Sequence, residues 1–369
     1  MDYKRRQDPV ILGIGTVVPD GLIIQSEVAG RLAEGLKEYP DSMRWAKRIF
    51  RGCGVETRYT CEPELLREAS ECSYLPYASG QAAPTTRERM EKYKREAVPL
   101  AVQAARRALA DSGIGPDALT HLMTVSCTGQ FLPGLDASLV QELGLSGRVN
   151  RIPLQFLGCA AGLKAIGLAR QTVAGEQEAK VLVVCVELCT LHIQPSTRRE
   201  ALFGASFFGD GASACVIGAE EESRQGYYRL LDSRSVLFPD SAGDMVWEVG
   251  NHGFELYLSP DIPKLLGRHL PDELGRFLEG RRKPELWAIH PGGRGIVDTL
   301  EDIFALTEEQ TFPSRHILSR YGNMSSATIL FVLQEMRRQQ VELGKREAEG
   351  TALAFGPGLT AELLRFQYV

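Results

Sequence analysis

The chain has 369 residues, 44% of them hydrophobic and 24% charged, with a net charge of −5. That length spans roughly two domains or one large two-part fold with apolar mass for a sizeable core, and the acidic balance argues against a nucleic-acid binder while leaving room for local basic patches that meet a phosphorylated ligand. The eight cysteines form no CxxC pair and no zinc-finger spacing with histidine, so most are expected to be buried free thiols of a reducing cytoplasm. The apolar stretch near the N-terminus is short and lacks a cleavage pattern, and no run of about 18 apolar residues occurs, so neither a signal peptide nor a membrane span is expected and the protein is placed in the cytoplasm.

In chain order, VILGIGTVV (10–18) reads as a buried strand closed by Pro19-Asp20-Gly21. Residues 25–51 carry a helical period with a basic end. Residues 62–92 are polar and irregular around Pro76, Gly80 and Pro84, and run into a charged helical segment. AVPLAVQAARRALADSG is an amphipathic helix stopped by Gly113. HLMTVSCT reads as a strand, LDASLVQELGL as a helix, and VLVVCVEL and ASACVIG as buried strands. After about residue 220 the pattern restarts: YYRLLDSRSVLF, FELYLS and ELWAIH are strands, SSATILFVLQEMRRQQ is a helix, and GTALAFGPG is a strand and turn. Alternation of short buried strands with helices is an α/β signature. The expected units are an N-terminal half, 1–220, and a C-terminal half, 221–369, packed together; a diverged duplication is compatible with this but the periodicity does not establish it.

Three positions carry candidate chemistry. Cys159 follows an apolar strand in QFLGCAAGLKAIGLAR, where small neighbours permit a sharp turn into a helix. A thiol at a helix N-terminus is expected to have a lowered pKa and amide donors close by, although this segment alone reads better as a packed core cysteine. His290 ends LWAI and precedes Pro291-Gly292-Gly293, the setting of a side chain at a cleft or of a strand cap. Asn323 in RYGNMSS would by itself be a turn residue before a helix that Ser325 or Ser326 caps. Together, a thiol, an imidazole and a neutral amide suit acyl transfer through a thioester, with the amide steadying a developing enolate. A papain-like protease uses the same residue types, but its local cysteine signature is absent here.

These segments resemble type III polyketide synthases, the chalcone-synthase-like family of the thiolase superfamily, over nearly the whole chain. LGCAAG is similar to the nucleophile motif, AIHPGGRGIVD to the histidine motif, LSRYGNMSSATILFVLQEM to the asparagine motif and FGPGLTAE to the closing signature. The resemblance implies a duplicated thiolase fold of five layers, αβαβα, in a homodimer, with Cys159, His290 and Asn323 catalytic. It implies an iterative decarboxylative condensation of malonyl-CoA onto an acyl-CoA starter, with His290 and Cys159 as an imidazolium–thiolate pair and with no metal or bound cofactor. ALFGASFFGDGAS and HGFELYLSPDIP place two gating phenylalanines at Phe208 and Phe254, while Cys127, Leu132, Cys189, His192 and Ser325 fall at substrate-cavity positions. MRWAKRIFRGCGVETRY places CoA contacts at Lys47, Arg48 and Arg51, where a solvated helix face is the plainer alternative. Replacement of threonines usual in plant members argues against chalcone-type specificity; the sequence more closely resembles bacterial members, which implies a fatty acyl starter and a pyrone or resorcinol product. A β-ketoacyl-carrier-protein synthase III shares the three residue types, but Pro291-Gly292-Gly293 stands where that family usually has Gln-Ala-Asn. A catalytically inactive binding partner on the same fold is the alternative from another class.

Overall fold

A computed structural model of the chain describes residues 7–75, 82–219, 226–345 and 347–369. The expected turn residues Pro76 and Gly80, and the boundary near residue 220, lie outside these. The first half contains β1 (Pro9–Val17), β2 (Gly21–Ile24), α1 (Gln25–Gly35), α2 (Pro40–Gly52), β3 (Thr57–Thr60), α3 (Thr86–Ser112), β4 (His121–Ser126), α4 (Leu135–Leu143), β5 (Asn150–Gln155), α5 (Ala161–Gly175), β6 (Val181–Leu188), α6 (Arg199–Phe207) and β7 (Asp210–Ala219). The second contains β8 (Tyr228–Leu237), β9 (Met245–Gly250), β10 (Gly253–Leu258), α7 (Ile262–Phe277), β11 (Leu286–Ile289), α8 (Arg294–Phe304), α9 (Glu308–Tyr321), α10 (Thr328–Glu342), β12 (Ala348–Gly356) and β13 (Thr360–Tyr368).

Nine strands pair in the order β11-β12-β13-β8-β1-β7-β6-β4-β5. The order reads the same way outward from the centre, where β1 meets β8 at Val10–Arg229 and Ile11–Tyr228: β1-β7-β6-β4 on one side and β8-β13-β12-β11 on the other. The β4–β5, β4–β6 and β11–β12 pairs are parallel. Side-chain alternation then sorts the layers. In β6, Leu182, Val184 and Val186 pack with α3 and α4, whereas Val181, Val183 and Cys185 pack with α5 and α10. In β13, Leu364, Phe366 and Tyr368 face those same two helices, whereas Ala361 and Leu363 face α7 and α8. Both faces of both sheet halves are therefore covered, which explains why VLVVCVEL is almost continuously apolar. The succession is α3/α4, sheet, α5/α10, sheet, α7/α8: five layers, the αβαβα thiolase arrangement.

The two central helices touch so closely that a methyl group on Gly162 would overlap the Ser326 carbonyl oxygen. This contact sets the start of α5 against the turn that precedes α10. Some expected elements differ. The helical period over 25–51 is two helices, interrupted at Leu36–Tyr39 and restarted by Pro40 at a first-turn position that needs no N–H partner. The charged run and the AVPL segment are a single helix, α3, opened by a Thr85–Glu88 capping box and closed by Gly113 at φ 71°, with Pro99 inside it. No described helix is long and apolar enough to cross a membrane.

Candidate active site

Cys159 sits in the short turn Gly158–Ala160 that leads directly into α5. Gly158 adopts φ +64°, and a side chain there would collide with the Pro357 ring, so the glycine serves both the turn and the packing of the β12–β13 loop against it. The thiol is half-buried. Its sulfur lies 3.9 Å from Asn323 Oδ1 and 3.8 Å from Nδ2.

Asn323 is clamped on all sides. Its N–H donates to the Phe207 carbonyl at 2.8 Å and its carbonyl accepts from the Gly209 N–H at 3.0 Å, so the chain around Phe208 and the chain around Asn323 run as a bridge. Its Nδ2 donates to the Gly292 carbonyl at 3.3 Å and its Oδ1 accepts from the Ser325 N–H at 2.8 Å. His290 caps β11, donates its N–H to the Leu353 carbonyl at 2.8 Å, and leads into the Pro291–Gly293 loop that Asn323 holds. The His290 ring is buried, and neither ring nitrogen has a hydrogen-bond partner among the described residues. A buried imidazole without partners is costly unless something else uses it.

Burial decides the protonation of both groups. It pushes the Cys159 thiol up to about 11, against hydrogen bonds from Ser325 and Asn323 that pull it down. It drives His290 down to about 3. A thiol lowered by its place at a helix start is therefore not what the structure gives: burial raises it. Each group by itself is neutral at pH 7.

Beside this cluster, Cys127 Sγ lies 3.1 Å from Ser325 Oγ and 3.5 Å from Glu187 Oε1. A cavity of about 280 Å³ opens on the other side, lined among others by Cys189, His192, Gly204, Phe208, Trp247 and Phe254. Two of its lining residues connect to the cluster's neighbourhood: Phe208 is bridged to Asn323, and Phe254 packs 5.6 Å from Phe156. His192 stacks on Phe254 at 4.2 Å, and burial lowers it to about 3.

Models of the N-terminal and C-terminal domains of chalcone and stilbene synthases match residues 2–221 and 229–369. The chain belongs to the chalcone and stilbene synthase family. It is a type III polyketide synthase, an acyltransferase. It is 32% identical, over 98% of its own length and 91% of theirs, to the alpha-pyrone synthesis polyketide synthase-like Pks18 of Mycobacterium tuberculosis and Mycobacterium bovis. Among solved structures it resembles PKS-I from the brown alga Ectocarpus siliculosus, with a TM-score of 0.90 and 28% identity over 100% of both chains. It also resembles the C-terminal type III polyketide synthase domain of Steely1, a type I/III hybrid from Dictyostelium, with a TM-score of 0.88 and 27% identity over 98% of this chain and 99% of that one.

Within this type III synthase the remaining expected site residues separate. Cys189, His192, Phe208 and Phe254 line the cavity. Cys127 and Ser325 do not reach its wall; both are buried, bonded to each other in the cluster around Cys159 and Glu187. Leu132 is 92% exposed on this chain and is not among the residues lining the cavity. Lys47, Arg48 and Arg51 lie on the exposed face of α2, whose opposite face buries Ala46 and Phe50 against Leu202 of α6.

Two residues with a part in the site were not singled out in the sequence. Glu187 is a fully buried carboxylate that accepts from Thr128 Oγ1 at 2.7 Å, the Cys127 N–H at 3.0 Å and Ser326 Oγ, with burial raising its pKa. The signal was present, since Glu187 is the single charge in VLVVCVEL and a buried charge demands partners. Trp247 had no such signal; only the fold brings MVWEVG to the cavity.

Proposed function

We propose that this synthase loads an acyl group from acyl-CoA onto Cys159 and extends it with malonyl-CoA. His290 takes the Cys159 proton as the sulfur attacks the acyl-CoA thioester, and returns it to the departing CoA thiolate. Malonyl-CoA then loses carbon dioxide. The electron pair released forms an enolate, whose oxygen receives hydrogen bonds from His290 Nε2 and Asn323 Nδ2. The enolate carbon attacks the Cys159 thioester, and the sulfur leaves as thiolate. The lengthened chain is now a CoA thioester; the Cys159 thiolate attacks its carbonyl, CoA leaves as the thiolate, a further round extends the reloaded chain, and ring closure releases a pyrone or a resorcinol-type phenol. The observation that carries this reading is Asn323: one side chain reaches the Cys159 sulfur and at the same time holds the loop after an unpaired, buried His290.

The starter we assign is a fatty acyl group. Among the cavity's lining, Cys189, Phe208, Trp247 and Phe254 are apolar or soft and suit an alkyl chain, alongside charged neighbours such as Arg198, Glu200 and Glu255. The printed description of Pks18 as an alpha-pyrone synthesis synthase agrees with a pyrone product. The exposed cations Lys47, Arg48 and Arg51 would receive the CoA phosphates. We also assign a homodimer, supported by the exposed apolar side chain of Leu132. Incubation with malonyl-CoA and a panel of acyl-CoA starters, without any carrier protein, should give pyrones or resorcinols detectable by mass spectrometry. Turnover only with acyl carrier protein, and only one condensation, would replace this reading with a β-ketoacyl-carrier-protein synthase III.

A further inference from the structure

The β9–β10 ribbon carries Trp247 and Phe254 on its cavity side, and it is fastened to the end of β4 by two side chains. Trp247 Nε1 donates to the Cys127 carbonyl at 2.7 Å. His192 Nδ1 accepts from the Phe254 N–H at 2.9 Å, which leaves Nε2 to donate to the Thr128 carbonyl at 2.6 Å. The hydrogen bonds therefore fix the tautomer of His192 as well as its plane. The three rings then interlock: His192 is stacked on Phe254 at 10°, and Trp247 stands edge-on to both, 5.6 Å from His192 and 5.9 Å from Phe254. All three rings line the cavity, whereas Cys127, to which Trp247 is bonded, belongs to the thiol cluster around Cys159. The indole thus lies between the cavity and the reacting sulfur's surroundings.

A wall made this way does not yield as an aliphatic one would. Swinging the indole aside would strip both its N–H and the buried Cys127 carbonyl of their partner, and would unstack two aromatic neighbours. Phe208, by contrast, follows the last residue of α6 and is only partly buried.

We propose that Trp247 is the wall that sets the length of chain this cavity accepts, and that His192 is the positioning residue that holds the wall closed. The proposal rests on the reading of the site as one that takes an acyl chain. Truncating Trp247 removes more side-chain volume than the leucine truncations that open cavities of about 150 Å³ elsewhere, a large addition to a cavity of about 280 Å³.

The test compares wild type with Trp247→Ala, Trp247→Leu and His192→Gln. Products from C6 to C18 acyl-CoA starters with malonyl-CoA are read by mass spectrometry, and the length limit for binding free fatty acids of the same range is read by thermal shift. Trp247→Ala should accept starters longer than the wild-type limit or add one more malonyl unit, with Trp247→Leu intermediate. His192→Gln should broaden the product range without shifting its mean to the Trp247→Ala value. A folded Trp247→Ala or Trp247→Leu protein with the wild-type product distribution and the wild-type fatty-acid limit would overturn the proposal. If wild type makes no polyketide but the fatty-acid limit still lengthens in the tryptophan variants, the wall stands and the assigned reaction fails.

Discussion

Replacing His290 by glutamine leaves the Cys159 thiol with burial and two hydrogen bonds but without the imidazole proposed to accept its proton. Burial pushes that thiol up to about 11, so about one molecule in 10⁴ would carry thiolate at pH 7. In the wild type His290, neutral at pH 7, is the proposed acceptor of the thiol proton as the sulfur attacks, and general-base assistance of this kind contributes about 10²–10⁴-fold. Iodoacetamide labelling of Cys159, followed by peptide mass spectrometry, should therefore be roughly 10³-fold slower in His290→Gln than in wild type at pH 7. The rate in the variant should climb about tenfold per pH unit towards pH 10. Equal rates at pH 7, along one shared pH curve, would refute the coupling of the two groups.

Asn323→Ala removes a donor from the proposed enolate site, and kcat should fall by about 10²–10³ while the protein remains folded; a kcat within a factor of a few would contradict that role. His290 is held neutral down to about 3 in the folded chain, whereas an unfolded histidine protonates near 6.5. The unfolded state therefore binds the extra proton in between, and stability is lost as pH falls: between pH 7 and 5 this group accounts for about 2 kcal/mol. Asp210, raised to about 6 by burial, and Glu187, also raised, act in the opposite direction. The diagnostic is consequently a difference: wild type should lose more Tm over that pH step than His290→Gln, and parallel losses would contradict a neutral His290. Gly162→Ala forces α5 away from the Ser326 carbonyl and should destabilise the protein by about 1–3 kcal/mol while lowering activity through the displaced Ser325 turn; unchanged denaturant midpoints would show that the helices separate freely.

Much of the layer structure was legible because the central strands β6 and β7 bury both faces, so runs such as VLVVCVEL and ASACVIG declare themselves. The helices α7 and α9 did not, since Pro271 and Pro313 fall inside them and interrupt the period by which a helix is read. The segments around Cys159, His290 and Asn323 stood out through their glycines and strand-to-helix turns, and Asn323 does lie against Cys159. The protonation of the pair was not legible: position at a helix start suggested a lowered thiol, but the extent of desolvation is a sum over side chains from both halves. The exposure of Leu132 on this chain was not legible for a related reason, because the direction of a loop side chain is set by the three-dimensional path of the loop and not by its neighbours in sequence. Cys127 and Cys189 look alike as single cysteines near strand ends, yet only Cys189 reaches the cavity.

The claim on which all of this depends is that the growing chain is carried by one sulfur. Incubating the enzyme with an acyl-CoA starter alone, quenching, and mapping the adduct by peptide mass spectrometry tests it directly. The account predicts one acyl group per chain, on the peptide containing Cys159, and none in Cys159→Ala. An acyl group on another cysteine, or polyketide formation by Cys159→Ala, would contradict it.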